Sequence, residues 1–386
     1  RAYIFTGNPV FPFGGSFFAS IDPARMAHVY AENRGMTPDS FWQWCRLPWR
    51  LAFEGGSSLS FPGPFVLAVF PVAAWGLFAR KDVSTPMKMI FLLGLCGCLG
   101  VAAINRLTRY WLPYLAILVM PVGLICEEGA ATPFRRWAFH ILATLMAGVN
   151  MLTAFQTIPS SYHPWPALLG AETPQEFLSY THPGMYPQPS TALYEWSKKN
   201  LPAGSKLLIL GDEKVASCHI PFLASGVFDV ALPAQWSLGL SSPEQLYQRF
   251  RREGITHILV NLLEGRRVLG YGIMDWPEST LALFCRMWRG HVRLLREDAI
   301  PEKFYKSKSP LFLYNVVSQE EAAKLPPAWN TVLWLYEEFK APGDQPDALK
   351  KKTELYEGLN SRYPDVADFA QRLDELKQFQ SHRGQK

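Results

Sequence analysis

The sequence predicts a helical membrane domain followed by a small α/β domain and a helical hairpin tail. Three observations predict it: four apolar runs close together between residues 61 and 156, short apolar strands alternating with amphipathic helices from 191 to 318, and a wholly helical pattern from 326 to 380. Charged residues make up 18% of the 386 positions, an ordinary share that hides a partition. Charges between Gly55 and Gln156 fall only in short clusters, whereas the chain after Pro187 is charged like the surface of a folded domain. The 13 tryptophans suit rings placed at a bilayer interface.

Each apolar run is near the length of a span, which takes about 20 residues. They cover 61–79, 87–105, 110–126 and 137–155. Proline and several glycines interrupt them, which neighbouring helices tolerate inside a membrane. Arg80, Lys81, Lys88, Arg135 and Arg136 flank one side and Arg106 and Arg109 the other. This bias predicts that residues 1–60 and everything after 156 lie outside the cytoplasm. His140, one turn into the last run, reads as a packing residue.

Residues 1–60 read as an outer loop with interfacial helices, and 157–190 as an irregular, proline-rich lead-in. The α/β pattern opens with a helix at 191–201 and a buried strand at 206–211, KLLILGDE, whose end points to Asp212 and Glu213. A second strand is expected at VFDVAL, 227–232. Ser242-Pro243-Glu244 carries the signature of a helix start. Strands follow at 256–261, around 291–295 and at 311–317, with a helix at about 277–289. Strands alternating with helices predict a largely parallel sheet. The turn after KLLIL lacks the spaced glycines of a nucleotide-binding loop. In the tail, helices meeting at Tyr363-Pro364-Asp365 form a tetratricopeptide-like hairpin, which caps its own domain or opens an array.

Six cysteines are scattered without a second pair to complete a zinc site. Cys218 and Cys285 are left open as a pair or as free thiols. Cys218-His219 reads as packing rather than as a metal site. A net charge of +5 without a dense basic stripe excludes a nucleic-acid footprint. The chain opens on Arg1 and reads as the C-terminal piece of something longer.

The sharpest chemical feature is RLTRYWLPYLA, where Arg106 and Arg109 stand three apart beside Tyr110. At helical spacing they share a face, and guanidinium forks suit phosphate oxygens. Snorkelling at an interface is the plainer alternative. GNPVFPF, with Asn8 and Pro9, fixes a rigid opening loop. The order GNPVFPF, LPWRLAF, an apolar run and RLTRYWLPYLA resembles the C-terminal half of bacterial GT-C superfamily glycosyltransferases related to the protein-mannosyltransferase and aminoarabinose-transferase families. LLGAETPQEFLSY, NLPAGSKLLILGDE and REGITHILVN resemble the exported domain that follows.

The resemblance implies a multi-pass protein of the bacterial inner membrane that transfers a sugar, with inversion, from a polyprenyl-phosphate donor to a lipid, glycan or protein acceptor. Arg106, Arg109 and Tyr110 would meet the donor phosphate. Asn8, Pro9, Asp22 and Glu54 would line the site. The general-base aspartate would lie upstream of Arg1, so the piece alone is expected to be inactive. No cofactor is required, and the chemistry leaves room for a divalent cation. The alternative is a non-catalytic, membrane-anchored envelope assembly protein whose C-terminal helices bind a protein partner.

Overall fold

The computed structural model describes residues 83–104, 165–181 and 190–384, apart from 213, 227–229, 299–310 and 344–346, with scattered positions between 40 and 155. The chain divides into one unit of Tyr30–Ser160 and another made of Arg1–Val29 and Ser161–Lys386.

In the first unit the principal described element is helix α1, Thr85–Ile104. Among the described residues no helix is long and apolar enough to cross a membrane. This corrects the expected polytopic membrane domain, and with it the multi-pass inner-membrane placement. Beyond Lys88, the apolar side chains described in α1 run from Met89 to Cys98. Ten such residues rise about 15 Å, half of the roughly 30 Å hydrocarbon core. That stretch is occupied in packing: Phe91 and Cys98 are buried, and Phe91 meets Phe78 edge to face at 6.2 Å. Gly94 lies against Ile117 and Leu118, and any side chain at Gly97 would collide with the Tyr114 ring. The other three expected spans, 61–79, 110–126 and 137–155, fall mostly outside the described residues.

The second unit is built on a five-stranded sheet in the order β2-β1-β3-β5-β4. Its strands are β1 (Leu207–Leu210), β2 (Phe222–Ala224), β3 (His257–Asn261), β4 (Val292–Asp298) and β5 (Leu311–Val316). β2, β1 and β3 run parallel; β5 is antiparallel to both β3 and β4. The sheet is therefore mixed, and the expectation of a largely parallel one is corrected. The strand expected at VFDVAL is also corrected. The edge strand is Phe222–Ala224, just after Pro221, and Leu232–Ser237 is a short helix, α3, with proline in its first turn.

Both faces of the sheet are buried, and the two-residue period of a strand sorts its side chains. Leu207, Ile209, Leu259, Leu311 and Leu313 pack with Leu193 and Tyr194 of α2, Ser190–Asn200. Leu208, Leu210, Ile258, Val260, Phe312 and Tyr314 face a larger core. That core is closed by α4 (Pro243–Arg252), α5 (Leu262–Val268) and α6 (Glu278–His291), which carries Phe284 and Trp288. Ser242 caps α4 as its sequence signature requires, accepting from the Gln245 amide while the Gln245 side chain returns to the cap.

Three helices complete the unit: α7 (Thr331–Lys340), α8 (Ala348–Arg362) and α9 (Ala367–Gly384). α8 and α9 form the hairpin read from the sequence. Tyr356, Leu359, Phe369 and Leu373 belong to the same core as the sheet. The hairpin therefore caps this domain with its own apolar face rather than opening an array.

Candidate functional site

Arg106, Arg109 and Tyr110, together with Asn8, Pro9, Asp22 and Glu54, lie outside the described residues. The polar cluster that the structure does describe forms at the carboxyl ends of β1 and β3. The chain leaves β1 for β2 on one side and reaches β3 on the other, so this is the switch point where open α/β sheets bind ligands.

β1 ends in Gly211, at φ +70°, which turns the chain so that Asp212 drops beneath the sheet end. A Cβ at Gly211 would lie 2.8 Å from the Asn261 carbonyl and 2.9 Å from Gly265 Cα. The strand end and the start of α5 touch backbone to backbone. Gly211 thus serves close packing, in keeping with the absence of a phosphate-cradling glycine pattern.

Asp212 is almost fully buried. Its Oδ1 accepts from the Lys214 backbone N–H at 2.8 Å, and its Oδ2 accepts from Asn261 Nδ2 at 3.0 Å. Ser190 and Tyr194 stand beside it, both buried. Burial pushes the Asp212 carboxyl above the usual range; Ser190, Asn261 and the Lys214 amide pull against it. Asn261 has a second task. Its Oδ1 accepts from the Glu264 amide at 3.1 Å and caps α5. Glu264, also buried, takes Arg267 Nε at 2.8 Å and faces Lys214 Nζ at 3.4 Å. Burial lowers the Lys214 pKa against the pull of Glu264.

A buried carboxyl shifted up beside an amine shifted down is the electrostatic pattern of an acid–base site. The space available is small. The cavity beside Gly211 and Asp212 measures about 20 Å³, enough for one water. Each carboxylate is also engaged, Asp212 with Asn261 and Glu264 with Arg267. The cluster therefore holds α5 against β1, and it admits no sugar ring.

Among the described residues, no group of three or more His, Cys, Asp or Glu side chains is placed to hold a metal ion. His219 lies 3.8 Å from Glu195 and has no metal-like company with Cys218. Cys218 and Cys285 are free thiols packed on opposite faces of the sheet, which closes the question of their pairing. His140 is an exposed helical position.

Asp212 is legible in the sequence at the end of an apolar strand. Asn261 and Glu264 escape that reading, although HILVNLLE repeats the same pattern of a buried strand ending in polar residues. Compared with known proteins, the chain matches no family model, and no curated protein or solved structure is significantly similar to it.

Proposed function

We propose that this chain takes part in transferring a sugar from a polyprenyl-phosphate-linked donor to an acceptor. In this reading Arg106, Arg109 and Tyr110 grip the donor phosphate, and the α/β unit is a rigid support that does not react. The observation that carries the reading is the order of GNPVFPF, LPWRLAF and RLTRYWLPYLA ahead of an α/β unit. The engagement of Asp212 and Glu264 supports it from the other side, since neither carboxylate has room for an acceptor hydroxyl.

Such a transfer needs positive charge where the leaving phosphate develops and a base for the acceptor proton. Two guanidinium forks supply the first. The second falls to a carboxylate beyond those of the α/β unit.

The test is a pair of variants in the native protein. Arg109→Ala is expected to lower kcat for release of polyprenyl phosphate by at least about a hundredfold. Arg109→Lys should recover part of it, because the charge stays and the fork is lost. Asp212→Asn should leave kcat unchanged. Full turnover in Arg109→Ala, with an unaltered melting temperature, removes the phosphate grip; a kcat collapse in Asp212→Asn moves the chemistry to the switch point.

A further inference from the structure

A much larger cavity lies away from the switch point, between α7 and α9 and the segment leading into α7. It measures about 250 Å³ and is lined by residues that include Trp329, Trp334, Tyr356, Asp368, Arg289 and Arg372. None of these takes part in the transfer reading above.

Two unspent hydrogen-bonding atoms belong to its wall. Tyr356 is 0% exposed, yet its hydroxyl has no hydrogen-bond partner. Asp368 accepts from Arg289 Nη1 on Oδ1 at 3.2 Å, while its Oδ2 is buried and unpartnered. Asn330, which also lines the cavity, donates instead to the Cys285 sulfur at 3.4 Å. Buried polar atoms are normally satisfied, so two orphans on one cavity wall point to a hydroxylated occupant.

The charges exclude an ionic one. Arg289 is taken by Asp368, and Arg372 by Glu337 at 2.7 Å and Glu375 at 2.8 Å. No guanidinium among them is left to anchor a phosphate. What remains is an aromatic surface with a polar floor. Trp329 is 54% exposed, steadied on one side by Phe312 at 5.5 Å edge to face, with Trp334 half-buried beside the cavity.

We propose that this cavity binds a neutral pyranose, a single hexose unit of a glycan, stacking its C–H face on Trp329 and donating hydroxyls to Asp368 and Tyr356. A pyranose has an apolar face and a polar edge, which is the division this wall offers. Few polar groups set in an aromatic surface is also the general make-up of a ligand pocket. The site is independent of the transfer reaction: binding without turnover leaves it standing.

The experiment titrates the native chain with methyl glucoside, methyl mannoside, methyl galactoside and N-acetylglucosamine, each alone. It follows tryptophan emission and calorimetric heat, with inorganic phosphate as the ionic comparison. At least one glycoside should shift emission saturably. Trp329→Ala should weaken its binding about tenfold through loss of the stacking surface. Tyr356→Phe, which keeps the buried ring, should weaken it about fivefold. Leu238→Ala, exposed on α3's C-terminal side, should change nothing. The proposal is overturned if no glycoside binds saturably up to about 50 mM, well beyond the millimolar affinity of a weak ligand. It is equally overturned if phosphate binds more tightly than every glycoside, or if folded Trp329→Ala and Tyr356→Phe bind like the parent.

Discussion

Gly211→Ala is expected to destabilise the α/β unit by about 3–5 kcal/mol, in the range of severe single substitutions. Two costs combine. At φ +70° an L side chain is strained whatever surrounds it, which costs about 1–2 kcal/mol. The new Cβ must also occupy space held by the Asn261 carbonyl and Gly265 Cα, at 2.8 and 2.9 Å. Both obstacles are backbone, so no side chain can swing away. Relief requires α5 to lift from β1, and lifting it parts Asp212 from Asn261 and loosens the cap on Glu264. Gly204 supplies the control: it has φ +84°, and a methyl group placed on it would meet nothing within 4 Å. Gly204→Ala should therefore cost only the conformational part, about 1–2 kcal/mol. Urea unfolding of the two variants measures the difference. Equal midpoints would show that β1 and α5 do not touch in this way.

Glu337→Gln should be comparably damaging, at about 3–5 kcal/mol, the cost of breaking a buried ion pair from one side. Glu337 is 0% exposed in α7 and is held from both hairpin helices, by Lys352 of α8 at 2.8 Å and Arg372 of α9 at 2.7 Å. Burial alone pushes its carboxyl up; Arg372 and then Lys352 more than reverse this, and the net shift is downward. The same carboxylate thus ties together three helices that the core has already gathered. Its pH dependence follows from the sign of the shift. A carboxylate whose folded pKa is depressed contributes fully above its unfolded value, about 4.3. That contribution is lost as pH falls through the folded value. The parent should therefore lose stability on acidification more steeply than Glu337→Gln, as read from denaturant midpoints at pH 7 and pH 3. Parallel acid limbs would mean that Glu337 is not ionised in the folded protein.

The sequence made the local elements of the α/β unit legible and left their assembly obscure. Runs such as LLIL and HILVN announce buried strands because both of their faces are covered. Ser242-Pro243 announces a helix because the cap needs that chemistry. Phe222–Ala224 is too short to carry a period, and VFDVAL, with its β-branched residues, competed for the same strand. The placement of β5 between β3 and β4 depends on pairing across distant segments, which no local pattern records. Apolar composition misled in the first unit for a related reason. A glycine-rich apolar helix packed on neighbours, as α1 is at Gly94 and Gly97, has the composition of a membrane span.

The same limit governs the sites. Asp212 stands out because it ends a strand, but its partners lie 49 and 52 positions away, at Asn261 and Glu264. Tyr356 and Asp368 read as ordinary members of an amphipathic hairpin. Only the packing of α9 beside α7 brings their unspent oxygens to one cavity. The hairpin's tetratricopeptide-like pattern was legible, and its destination was not, because an apolar helical stripe does not say which surface will cover it.

Sugar transfer from a polyprenyl-phosphate donor is tested most directly by following the donor's anomeric carbon. The native protein is supplied with an isotopically labelled polyprenyl-phosphate sugar and a mixture of lipid, glycan and protein acceptors, and the new linkage is read by NMR. The expected result is release of polyprenyl phosphate matched by a glycosidic bond of inverted configuration. Retained configuration, or a donor that stays intact with every acceptor, would contradict it.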